Sequence, residues 1–204
     1  MPCTAAQNVI LQILQAGDGE WSGKEKLHKA FYFAHLYYAN EHPGLLTDWP
    51  IAKLQHGPGI HRGEELIDGM VRDGLLEVEL AHEGPYPEYR YRLTEKARGL
   101  GSSIPPEARQ AIEKAALFCK DRTAPELSMM THDRSRSWNE GQLGDILNID
   151  IDTIPDDEYQ RQQQRVKELS KDLAGFFGET LDEKRGWGPA QRGRLGPIPF
   201  NWRS

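Results

Sequence analysis

The side chains best able to do chemistry in this 204-residue sequence are its seven histidines, and their spacing limits what they can do. His28 and His35 lie two helical turns apart, His56 and His61 bracket Gly57-Pro58-Gly59, and His132 precedes Asp133. A zinc site of the HExxH kind needs its ligands and its base at fixed reach, and none of these spacings supplies that. The histidines therefore read as hydrogen-bonded packing residues, and no metal or other cofactor is expected. Asp150, Asp152 and Asp156 sketch a calcium loop, but its sixth and twelfth positions, which require Gly and Glu, hold Pro155 and Arg161. These acids read as helix caps and solvated charges. Ser128, His132 and Asp133 offer a nominal nucleophile, base and acid. There is no GxSxG elbow, Gly-rich phosphate loop or Walker lysine beside them, so they read as helix-end residues and catalysis is not expected.

The elements that must position these groups are mostly helices. Thr4 is placed to cap a helix to Gln15 whose Val9, Ile10, Ile13 and Leu14 share one face. After the Gly17-Asp18-Gly19 break, Ser22 is placed to cap a second helix over 23–40. Leu27, Phe31, Ala34 and Tyr38 form its stripe, while Phe33, Leu36 and Tyr37 fall outside it, so apolar groups nearly surround the axis. That pattern predicts a central, buried helix, with His28, Tyr32 and His35 together as a polar-aromatic flank. Ile51–Gln55 reads as extended, Gly57-Pro58-Gly59 as a tight turn, and 63–73 as a helix stopped by Gly74. Leu76, Val78 and Leu80 alternate with Glu77 and Glu79; Tyr89, Tyr91 and Leu93 alternate with Arg90 and Arg92. The two strands and the His82–Glu88 turn predict a hairpin whose glutamates and arginines pair across it, followed by a short helix capped by Thr94.

Further helices are expected from Pro105-Pro106 to Lys120, over 126–131, over 140–148, and from Asp157 to Phe177, ended by Gly178. The last carries the stripe Val166, Leu169, Leu173 and Phe176. Gly101–Ser103 reads as a linker. The fold class is thus mainly α (α+β): a helical domain with a central buried helix and one winged-helix-like β-hairpin.

Residues 1–183 hold all 31 acidic residues and 20 of the 25 basic ones, a balance of −11; residues 184–204 hold five bases and no acid. The chain therefore reads as one acidic domain over 1–183 and a basic, Gly/Pro-rich tail over 184–204. An acidic body repels phosphate backbones and steers toward basic proteins, so nucleic acid is expected at most on the tail, where Trp187, Phe200 and Trp202 interleave with arginines. The expected groove-reading helix, 64–73, carries four acids and one base, which counts against sequence-specific DNA binding. No apolar run reaches the ~18 residues of a membrane span, and Met1–Gln7 does not open like a signal peptide. Cys3 and Cys119 supply neither a disulfide framework nor a zinc knuckle, and a reducing cytoplasm is the expected compartment.

Three spaced segments carry a resemblance: Lys26-Leu27-His28-Lys29-Ala30-Phe31-Tyr32-Phe33-Ala34-His35, then Gln55-His56-Gly57-Pro58, then Leu127-Ser128 with Thr131-His132 and Trp138. In order and spacing they resemble the Panacea domain, the SocA-like antitoxin domain of bacterial and phage toxin-antitoxin systems. The chain departs from that pattern at Gly59, where an aliphatic residue is usual, at Ser137-Trp138, where Pro-Trp is usual, and in its longer hairpin. The resemblance implies a mainly helical, non-catalytic protein that neutralises a cognate toxin by direct binding. One member is described as a proteolytic adaptor that delivers its toxin to a protease. The expected partner-binding residues are His28, Tyr32, His35, His56, Gly57, Pro58, His132 and Trp138. The alternative function is a winged-helix-like DNA-binding transcriptional regulator.

Overall fold

The computed structural model describes residues 3–82, 86–100 and 104–184, and of Asp156 and residues 172–184 the backbone alone. Residues 83–85 of the hairpin turn, the 101–103 linker, and the basic tail beyond Lys184 lie outside the described residues, as do the side chains of Leu173 and Phe176. The chain divides into two units, Met1–Ile154 and Pro155–Ser204. The sequence had suggested a boundary at 183/184.

The first unit is a mainly helical α+β fold. Its elements are α1 (Ala5–Ala16), β1 (Glu20–Ser22), α2 (Lys24–Glu41), β2 (Ile51–Leu54), β3 (Gly57–Ile60) and α3 (Gly63–Arg72). They are followed by β4 (Leu76–Ala81), β5 (Glu88–Leu93), α4 (Glu95–Arg98), α5 (Pro106–Lys120), α6 (Ala124–Arg134), α7 (Arg136–Glu140) and a 3-10 turn, Ile149–Asp152. One antiparallel sheet has the order β1-β5-β4; β2 and β3 form a separate hairpin. Helices α1, α2 and α3 with β1, β4 and β5 have the chain order of a winged helix, and β2–β3 is inserted between its second and third helices.

Local chemistry explains most boundaries. Thr4 and Gln7 form a capping box at α1, and Thr94 Oγ1 accepts from the Ala97 amide at α4, as expected. Helix α2 is the buried axis of the fold: Leu27, Ala30, Phe31 and Ala34 are buried on one side, and Phe33, Leu36 and Tyr37 pack against the core on others. Helix α5 packs on it and on α1, burying Ala108, Ala111, Ala115, Ala116 and Cys119, small side chains that let backbones approach, together with Ile112.

Several expectations are corrected. Ser22 does not cap α2; it lies in β1 opposite Arg90, and α2 starts at Gly23 without a side-chain cap. Gly57-Pro58-Gly59 is not the turn but the strand β3, paired with Lys53–Leu54 and Ala52; the turn is Gln55-His56. Residues 141–148 are not helical. Gly144 takes φ +92°, Ile146 bridges to Ala52, and the Leu147 amide donates to the Ile51 carbonyl, so this segment extends the β2 edge. Asp152 is no solvated cap, as described below. In the second unit α8 spans Asp156–Lys184, with Gly178 inside it, and Val166 and Leu169 of the expected stripe are exposed. Among the described residues no helix is long and apolar enough to cross a membrane.

Candidate functional site

The three sequence segments meet in space: α2 packs on β3, and α6 packs on both. Their contacts are specific. The Ile60 amide donates to His28 Nδ1 (2.9 Å), which makes Nε2 the protonated nitrogen of a neutral ring. The next residue, Lys29, is 1% exposed, and its ammonium donates to the carbonyls of His56 (2.5 Å) and Pro58 (3.1 Å). It clamps the β2–β3 hairpin to α2. Gly57 sits directly against this amine at φ +106°, and a Cβ there would collide with Lys29 Nζ and Thr131 Oγ1. That accounts for glycine at this place.

Burial pushes the Lys29 amine down to about 8 from an ordinary value of 10.5. The unfolded chain keeps this proton where the folded chain releases it, so stability rises with pH above 8. Above 9 the Cys119 thiol, whose burial pushes it up to about 12, acts with the opposite sign. A stability gain of about 1 kcal/mol between pH 8 and 9 is therefore expected. Urea unfolding at these two pH values should show the gain in the wild type and a flat response in Lys29→Met; an unchanged slope in the variant would contradict the assignment.

Tyr32, also buried, donates its hydroxyl to Asp152 Oδ2 (2.7 Å). The same carboxylate accepts from Ser135 Oγ (2.9 Å), the Ser137 amide (2.8 Å) and Ser137 Oγ (2.7 Å). It ties the 3-10 turn to α2 and α7. Burial is the main reason the Tyr32 phenol is held far above its usual range, with the neighbouring carboxylate reinforcing it. His35 is fully enclosed and its ring lies tilted against Phe31, centroids 4.7 Å apart and planes at 43°; its Nδ1–H donates to the Phe31 carbonyl. Burial pushes both His28 and His35 down to about 4.

His132 stacks face to face on Trp138 (4.0 Å, 9° between planes). Trp138 donates from Nε1 to the Leu54 carbonyl (3.0 Å), and Lys53 Nζ lies 4.1 Å from the centre of the Trp138 ring. Partial burial, with Lys29 and His56 nearby, holds the His132 imidazole below its usual value. His132 Nε2 is buried with no hydrogen-bond partner among the described residues, and the Ser128 carbonyl accepts from the Thr131 hydroxyl (2.9 Å).

The sequence-selected residues do come together, but as interior. His28, Tyr32, His35, Gly57 and Pro58 are buried, His132 and Trp138 half-buried, and only the His56 side chain is exposed. The α2 flank, expected as a contact surface, is instead an interior polar frame, because β3 and the 3-10 turn cover it. Lys29, Lys53, Ser135, Ser137 and Asp152 belong to that frame and escaped the sequence reading. Lys29 carried a signal, since a lysine mid-helix among apolar residues on every side must be enclosed. Asp152 carried none.

Above the frame lies a cleft of about 380 Å³ between α3 and the β4–β5 hairpin, with Leu27, His28 and Ile60 at its floor. Ile67 and Val71 line one wall; Val78, Tyr89 and Tyr91 line the other. A second cavity of about 440 Å³ continues past His28 to the Gln55-His56 turn. Comparison with protein-family models, curated proteins and solved structures finds no match to this chain. The cleft offers aliphatic and aromatic surface edged by Lys24, Glu64 and Asp68.

Proposed function

We propose that this protein is a cytoplasmic antitoxin that neutralises a cognate toxin by direct protein–protein binding, without catalysis. The observation that carries this reading is the charge of α3. Helix α3 holds the place of a winged helix's reading element, yet it turns Glu64, Glu65 and Asp68 to solvent. Phosphates are repelled there, whereas a basic polypeptide is attracted. The resemblance of three segments to the Panacea domain supports the same reading. Delivery of the captured toxin to a protease is a further form of the same role.

The winged-helix chain order favours the second reading, a DNA-binding regulator. Its cost is an acidic reading helix and a hairpin whose Arg92 is already bridged to Glu20 (3.0 Å) and Glu79 (2.9 Å). Expression of the small reading frame adjacent to this one should arrest growth, and co-expression of the present chain should restore it. A harmless neighbour, or arrest that this chain leaves unrelieved, would contradict the proposal.

A further inference from the structure

We propose that the cleft between α3 and the β4–β5 hairpin receives a basic segment of the partner polypeptide, one whose large apolar side chain enters the cleft while a lysine or arginine reaches Asp68. This rests on the protein-binding reading above and assigns it a place.

The first support is an apolar face longer than the protein needs. Along the hairpin Leu76, Tyr91 and Leu93 are buried in the core, but the face continues outward through Val78, Leu80 and Tyr89, which are 37%, 44% and 44% exposed. Val78 opposes Tyr91 and Leu80 opposes Tyr89 in the sheet register, so these side chains form one continuous surface. Across the cleft Val71, 39% exposed, extends the apolar side of α3 in the same way. Clustered exposure of this kind marks interaction sites more often than isolated surface residues do.

The second support is which charges there are left over. Beside the cleft Glu64 is bridged to Lys24 (2.5 Å), and Glu65 to Arg62. Asp68, on the cleft wall between Ile67 and Val71, has no ion-pair partner among the described residues. A carboxylate beside aliphatic groups is poorly placed for an acidic or purely apolar occupant, and a cation arriving with an apolar neighbour satisfies both features. Duplex nucleic acid would bring phosphates to the Asp68 and Glu64 carboxylates, which disfavours it as the occupant.

The test is selection of random 12-residue peptides on immobilised full-length protein, followed by fluorescence anisotropy of the selected peptides with the wild type, Asp68→Lys, Val78→Glu and a distant charge reversal, Glu107→Lys on α5. Selected sequences should pair Lys or Arg with a large apolar residue, and their affinity should fall tenfold or more in Asp68→Lys and Val78→Glu while Glu107→Lys stays within twofold. Both cleft positions are exposed, so thermal melting should be unchanged; Asp68→Asn provides an isosteric variant and should weaken binding at least threefold. Equal binding by wild type and both cleft variants overturns the proposal, as does selection of peptides without basic residues. A wild-type dimer that Val78→Glu dissolves would overturn it too, by making a second copy of the chain the occupant. Neutralisation by the wild type with cleft-independent peptide binding defeats the cleft alone; cleft-dependent binding with no neutralisation defeats the antitoxin reading alone.

Discussion

Acidification from pH 6.5 to pH 4 is expected to remove about 5 kcal/mol of folding free energy through two histidines. His28 and His35 are both neutral in the folded protein down to about pH 4, whereas in the unfolded chain they take up protons at the ordinary value of 6.5. The unfolded state therefore binds more protons across that interval, so stability is present above pH 6.5 and lost as pH falls toward 4. Over this interval each histidine accounts for about 2.5 kcal/mol, since the unfolded ring is already half protonated at pH 6.5 and the folded ring is half protonated at pH 4. Typical domains are stable by ~5–15 kcal/mol, so the loss takes a large part of the whole. His35→Phe keeps a ring against Phe31 and removes one titrating group, and it should halve the loss. Urea unfolding at pH 7, 6, 5 and 4 measures both. Equal stability at pH 6.5 and 4, or a His35→Phe profile identical to the wild type, would contradict the enclosed, neutral state of these rings.

Asp152→Ala is expected to cost about 4 kcal/mol at pH 7. The carboxylate accepts four hydrogen bonds, and its removal strands the Tyr32 hydroxyl and the Ser135 and Ser137 groups in the interior. Buried donors left without an acceptor cost ~1–3 kcal/mol each, and neighbouring losses do not add fully. Asp152→Asn, which keeps acceptor oxygen but loses charge, should cost about half as much. Tyr32→Phe removes one donor and should cost about 1 kcal/mol, with the Tyr32–Asp152 pair coupled in a double-mutant cycle. An Asp152→Ala variant within 1 kcal/mol of the wild type would show that the network is not holding the 3-10 turn to α2.

The parts of this fold legible in the sequence are those set by local chemistry. The Thr4 and Thr94 caps, the apolar encirclement of α2, and the alternation in β4 and β5 each depend on residues a few positions apart. The cross-strand bridge of Arg92 to Glu79 was legible for the same reason. What escaped was set by distant partners. Glu20-Trp21-Ser22 has no strand period and becomes β1 only by pairing with Arg90–Arg92. Gly57-Pro58-Gly59 has the composition of a turn, and becomes strand because β2 pairs with it and Lys29 holds its carbonyls. The site followed the same rule. That His28, Tyr32 and His35 share a flank could be read from helical period, but whether the flank faces solvent depended on β3 and the 149–152 turn, which cover it. The cleft could not be read, because it lies between α3 and strands whose separation no local pattern fixes.

The central claim, recognition of a polypeptide and not of DNA, is tested most directly by titrating the full-length protein in a calorimeter with the purified product of the adjacent reading frame and, separately, with its own promoter duplex at about 0.15 M salt. The account predicts saturable 1:1 binding to the protein partner, weakened in Asp68→Lys, and no saturable binding to the duplex. Saturable, salt-sensitive binding to the duplex with none to the protein partner would contradict it.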